Sequence, residues 1–146
     1  LDWPPPAAPP VPAGASGPRT LRLSGRAADG TILTAGTAPD AVRRARRLIE
    51  EGRAEAGRTD PHRLVVYFHA ATGPDARSRL EAELRGWGDA PTADLGAAGD
   101  AETVAAAVVR LAQAGADTVV LQPTADEPDP EGFVRFVAEQ VRPLVP

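Results

Sequence analysis

The stretch VPAGASGPRTLRLSGRAADGTIL (residues 11–33) places an apolar start, a turn of small residues, a helical run and a second apolar run in direct succession. A strand over residues 11–15 leads into Gly17-Pro18. Pro18 suits the first turn of a helix reaching residue 28, because the amide it lacks would find no partner there. Leu21 and Leu23 are among the apolar residues of that helix. Asp29 and Gly30 then supply a turn, and residues 31–35 have the β-branched character of a strand. The unit reads strand, helix, strand, with an unusually permissive turn after the first strand.

Working outward, the same alternation continues. PDAVRRARRLIEEGRAEAG (residues 39–57) puts Val42, Ala45, Leu48 and Ile49 on one helical face and arginines on the others, with Gly52 weakening the helix and Gly57 ending it. HRLVVYFHAA (residues 62–71) is a dense β-branched and aromatic run, as in a strand covered on both faces. PDARSRLEAELRGW (residues 74–87) is a further amphipathic helix, and GDAPTADLGAAG (residues 88–99) reads as a loop. Asp100 caps a helix closed by Gly115; DTVVLQP (residues 117–123) is another strand, and residues 130–146 form a terminal helix. Four strands alternating with helices predict an α/β protein of parallel βα units with the helices outside. Periodicity leaves two architectures open, an open doubly wound sheet and half of an eight-stranded barrel.

A chain of 146 residues supports one core, and 42% hydrophobic residues place it among globular proteins. It has no apolar run of the roughly 20 residues that span a bilayer. With no cysteine and two histidines, disulfides and a protein-held metal site are not expected. A net charge of −4 opposes binding to a polyphosphate, so nucleic acid is not an expected partner. All 16 basic residues are arginine, and neither lysine nor asparagine occurs, a bias expected of GC-rich coding. Richness in Ala and Pro therefore carries less structural meaning than usual. LDWPPPAAPP (residues 1–10) reads as an extended, proline-rich lead-in. Leu1 is too large to follow a removed initiator and no segment reads as a signal peptide, so a further N-terminal portion is expected; the absence of cysteine fits a cytoplasmic location.

Four segments in order, residues 11–36, 39–58, 100–123 and 133–145, resemble the C-terminal half of the luciferase-like flavin- or deazaflavin-dependent oxidoreductases. That group includes bacterial luciferase, alkanesulfonate monooxygenase and coenzyme F420-dependent reductases and dehydrogenases. The resemblance implies a TIM-type (β/α)8 barrel, with residues 11–146 as its last four βα units and a loop inserted before Asp100. It implies that Gly14, Ala15, Ser16 and Gly17, with Thr34, Ala35 and Gly36 beside them, line the phosphate end of the cofactor, Arg19 adding charge. The Gly-Pro-Arg form of the turn favours F420 over FMN. Without the resemblance, GASGPR is an ordinary small-residue turn: it fits neither G-x-G-x-x-G nor the P-loop pattern.

Strand ends at the C-terminal rim of such a barrel face the site, so His69 and Gln122 are candidate substrate-pocket residues. A structural histidine and a loop contact are the plainer readings of the two. His62, at the opposite end of its strand, is expected to be exposed. Arg43 to Arg47 read as a solvated helix face with Arg46–Glu50 and Arg47–Glu51 pairs. Asp126, Glu127, Asp129 and Glu131, interrupted by Pro128 and Pro130, read as a solvated turn, and Trp3 and Trp87 as loop packing, interface anchors or a flap. No nucleophile–base pair can be assembled, as expected if a flavin or deazaflavin performs the redox chemistry. The implied function is part of a luciferase-like oxidoreductase or monooxygenase acting on a small molecule. The alternative is a non-catalytic half-barrel module completed by a second copy or by a separate N-terminal chain. A third reading, an unrelated open α/β ligand-binding domain, would be favoured by a strand order that is not sequential.

Overall fold

The computed structural model describes residues 8–88, 92 and 94–146. Most of the proline-rich lead-in, including Trp3, and part of the loop before Asp100 lie outside the described residues. Apolar runs and turn residues produce the elements β1 (Pro12–Gly14), α1 (Pro18–Ala27), β2 (Gly30–Leu33), α2 (Pro39–Glu55), β3 (Arg63–Ala71), α3 (Ala76–Gly86), β4 (Gly96–Ala98), α4 (Ala101–Gln113), β5 (Thr118–Gln122) and α5 (Pro130–Phe136). Beyond α5 the chain widens to a π-helical turn over Val137–Val141 and tightens to a 3₁₀ turn at Arg142–Leu144.

All strand pairs are parallel. Val65 and Val66 pair with β2 and β5 at once, and His69 pairs with β4 and β5 at once. A residue meets one neighbour on each edge, so β5 holds one edge of β3 while β2 and β4 follow one another along the other. The four expected strands therefore stand in sequential order, β1, β2, β3, β5, as a half-barrel requires. This order removes the motive for the unrelated open-sheet reading.

Side chains of registered neighbours share a face, which separates the sheet into two sides. Leu33, Leu64, Val66, Phe68, Ala70 and Ala97 lie on one side and form the main core with Leu21 of α1, Val42 and Ile49 of α2, Val104 and Leu111 of α4, and Phe133 of α5. Burial of each large member stabilises the fold by about 1.5–3 kcal/mol. On the other side, Ile32, Val65, Tyr67 and Val120 are only half-buried. This is the face that becomes the interior of a closed barrel.

Two features differ from the sequence expectation. The segment expected to be only loop contains β4, three small residues with no β-branched side chain, which pair with the last residues of β3. The helices are also not all outside. Leu80 and Leu84 of α3 form a second core with Ala71, Ala76, Leu95 and Ala98, and Ala71 and Ala98 belong to the inner face. α3 thus packs over the C-terminal end of β3 on the side opposite α1, α2, α4 and α5.

His62 is also buried rather than exposed. Its Nε2 is 2.9 Å from Thr31 Oγ1, which is 2.7 Å from Ser24 Oγ. Arg46 pairs with Glu50 as expected at 3.7 Å, but Glu51 turns to Arg22 of α1 at 2.6 Å instead of Arg47. Arg46 also reaches across to Asp117 and the Gly115 carbonyl, so this part of the arginine run is structural.

Candidate functional site at the C-terminal rim

β1 and β2 run side by side in the register Pro12↔Gly30 to Gly14↔Ile32, and the Ala15 amide donates to the Ile32 carbonyl at 3.2 Å. Both strands therefore deliver the chain to the same rim. Ala15, Ser16 and Gly17 leave β1 beside Thr34, Ala35 and Gly36 leaving β2. The expected strand over residues 31–35 ends at Leu33, so Thr34 and Ala35 belong to the turn. Ser16 and Thr34 are exposed; Gly17, Ala35 and Gly36 are half-buried. Ala15 packs against the core and Gly14 faces open space, where a Cβ would touch nothing. Gly36 holds φ +82°, a conformation that favours glycine. Thr37 Oγ1 closes this turn on the Thr34 carbonyl at 2.8 Å.

The two helices that start here lack side-chain caps, as α3 does, and differ in this from α4 and α5. α1 begins at Pro18 with Gly17 as its N-cap, and α2 at Pro39 with Ala38; neither has a side-chain cap. By contrast, Asp100 caps α4 by accepting from the Thr103 amide at 2.9 Å, and Asp129 caps α5 by accepting from Gly132 at 2.9 Å. α1 has no acidic residue in its first turn, and Arg19 stands there, exposed. α2 carries Asp40, paired with Arg43. Uncapped amides and the positive end of the helix dipole make the start of α1 hospitable to an anion. The residues present fit a phosphate group.

His69 and Gln122 are register partners on the inner face. β2 ends at Leu33, opposite Val66, and His69 lies three residues further along β3 towards the same end, so both residue sets belong to one rim. Gln122 is half-buried, whereas His69 is 4% exposed. The Trp87 ring lies 6.0 Å from that of His69, tilted by 49°. Neither His69 ring nitrogen has a hydrogen-bond partner among the described residues.

The acidic stretch beyond β5 is more structural than its sequence suggests. Glu127 is half-buried, its side chain only 7% exposed, and pairs with Arg79 of α3 at 2.8 Å; Arg79 also donates to Thr124 Oγ1 at 3.2 Å and to the Thr72 carbonyl at 2.6 Å. Glu83 accepts from the Ala125 amide at 2.9 Å and from Trp87 Nε1 at 2.8 Å, and these bonds hold its carboxyl below the usual range. Arg79, Glu83 and Tyr67 were missed in the sequence. Arg79 and Glu127 lie far apart along the chain, and only the placement of α3 on the inner face joins them.

The chain matches the family model of the luciferase-like monooxygenases over residues 1–88. It belongs to the luciferase-like monooxygenase family. Among solved structures it is similar to the coenzyme F420-dependent tetrahydromethanopterin reductase of Methanopyrus kandleri, with 26% identity and a TM-score of 0.70 over 92% of this chain and 50% of that one. It is also similar in fold to an F420-dependent secondary alcohol dehydrogenase in complex with an F420–acetone adduct, with 20% identity and a TM-score of 0.80 over 97% of this chain and 50% of that one. This luciferase-like chain thus spans about half the length of both structures. No curated protein matches its sequence. Among the described residues no helix is long and apolar enough to cross a membrane.

Proposed function

We propose that this luciferase-like chain supplies the cofactor-phosphate side of an F420-dependent oxidoreductase acting on a small organic molecule. The observation that carries the reading is the pair of uncapped helix starts, α1 and α2, at one rim with exposed Ser16 and half-buried Gly17 beside Thr34, Ala35 and Gly36. The amides that follow Pro18 and the Ser16 hydroxyl donate to the phosphate, Gly14 and Gly17 let it approach the backbone, and Arg19 adds positive charge. The two F420-dependent structural neighbours favour F420 over FMN. Bound there, the deazaflavin supplies hydride transfer to or from the substrate; His69 and Gln122 face that substrate from the inner side.

Completion of the barrel is part of the same proposal. Among the described residues, β1 and β5 each pair along one edge only, and the inner face is half-open. Four further βα units, on the same polypeptide or a separate one, would cover both. A second copy of this chain fits less well, because it would bring a second α3 into the same mouth.

The test is titration with F420, and in parallel with FMN, following cofactor fluorescence with a four-unit N-terminal half supplied. Saturable binding of F420 is expected, weakened by roughly ten-fold or more when Ser16→Trp fills the cradle and costs about one hydrogen bond or more. Tighter binding of FMN would reverse the cofactor assignment, and indifference to the substitution would move the phosphate elsewhere.

A further inference from the structure

α3 is the one described helix on the inner face, and its middle and its last turn are secured differently. Its middle is fastened to the loop after β5 through Arg79, with Glu127, Thr124 and Thr72, and through the bond from the Ala125 amide to Glu83. Its last turn hands over to Trp87, which is 67% exposed and donates its one indole hydrogen back to Glu83. The His69 ring lies 6.0 Å from that indole, and its two nitrogens have no hydrogen-bond partner among the described residues. Buried nitrogens without partners are held at a cost, and the fold gains nothing visible from them: a leucine or phenylalanine would fill the same space with no polar atom to satisfy. They are explained if something binds there.

We propose that His69 is a ligand-binding residue covered by Trp87 in the free protein, and that its ring takes the hydroxyl or carbonyl oxygen of a small uncharged molecule once the indole moves aside. The proposal rests on the inner face being the barrel interior, and it assigns the chemical class bound there. A neutral imidazole offers one donor and one acceptor, which suits an alcohol or a carbonyl compound. Registered beside His69 are Gly96 and Gln122, neither charged. Glu83, which accepts from the Trp87 indole, is already engaged by that bond and by the Ala125 amide.

The experiment uses the whole chain carrying Trp3→Phe, so that Trp87 alone reports, with cyclohexanol as the probe and cyclohexanecarboxylate as its charged counterpart. Trp87 emission and the ring-nitrogen NMR shifts of His69 are expected to change saturably with cyclohexanol and not with the carboxylate. His69→Phe should weaken binding roughly ten-fold or more, the factor that a lost neutral hydrogen bond commonly costs. It should also raise the thermal midpoint by roughly 2–8 °C as the unsatisfied nitrogens are removed. Trp87→Ala should tighten cyclohexanol binding, because the closed state no longer competes.

The binding arm decides. No saturable change, a change unaltered by His69→Phe in a folded variant, or equal binding of the carboxylate overturns the proposal. None of these outcomes depends on F420, so failure of the phosphate site and failure of this site are read separately.

Discussion

At the scale of single residues, the chain Ser24, Thr31, His62 shows how a polar group is afforded inside the main core. Thr31 is fully buried on β2, and its hydroxyl lies between Ser24 Oγ and His62 Nε2 at 2.7 and 2.9 Å. Burial, then the nearby Arg53 guanidinium, pushes the His62 pKa below its ordinary value. The native state therefore favours the neutral ring. Above pH ~6.5 both folded and unfolded forms are neutral and the stability is fully present; as pH falls below that, the unfolded chain takes up the proton first and stability declines. Asp60, held at about 2 chiefly by its hydrogen bond with Arg58, adds a separate loss only at lower pH, between its unfolded value of 3.8 and about 2. The urea midpoint should thus fall as the pH drops below about 6.5 in the natural sequence and stay flatter in His62→Gln, which keeps a partner for Thr31. Equal slopes in the two proteins would show that His62 is not held neutral.

At the scale of elements, α1 and α2 approach so closely that glycine is required at their crossing. A Cβ on Gly25 would run into the Ile49 carbonyl, and one on Gly52 into the Arg22 carbonyl. Gly52 was read in the sequence as a weakness in the helix, worth about 1 kcal/mol against alanine. Packing reverses the sign of that substitution. Gly52→Ala should destabilise by about 1–3 kcal/mol as the helices are forced apart, whereas Gly86→Ala at the end of α3, where a Cβ meets nothing, should stabilise by up to about 1 kcal/mol. Chemical denaturation of the two variants checks the contrast, and equal effects would mean that the crossing is loose. The same distinction explains what the sequence revealed. Periodicity located α1, α2, α4, β3 and β5 because their apolar residues recur at helical or strand spacing. It could not reveal β4, whose Gly-Ala-Ala carries no β signal and is held by the edge of β3. Nor could it place α3, since an amphipathic helix does not state which side of a sheet it covers. At the site, the small residues of the turn were legible, but the missing caps of α1 and α2 acquire meaning only once the register of β1 and β2 brings them together. The burial of His69 and His62 depends on α3 and on the polar chain from Ser24, which no local pattern announces.

At the scale of the whole molecule, the two faces of the sheet make different demands on neighbouring residues of one strand. Val66 is buried under the helices, while Val65, its immediate neighbour, is half-buried on the inner face. Val66→Asp puts a carboxylate where it has neither water nor a partner, and should destabilise the chain by more than about 4 kcal/mol or prevent folding. Val65→Asp keeps access to water in the half-barrel and should cost about 1 kcal/mol or less. Joining a four-unit half changes this, because the aspartate would then be sealed inside the closed ring. Sedimentation of the chain with such a half should give a one-to-one complex for the natural sequence and for conservative Val65→Thr. Val65→Asp should fail to assemble while remaining folded by circular dichroism. If it assembled as readily as the natural chain, the inner face would not be the surface that closure buries, and the half-barrel reading would have to give way to a sheet that stays open.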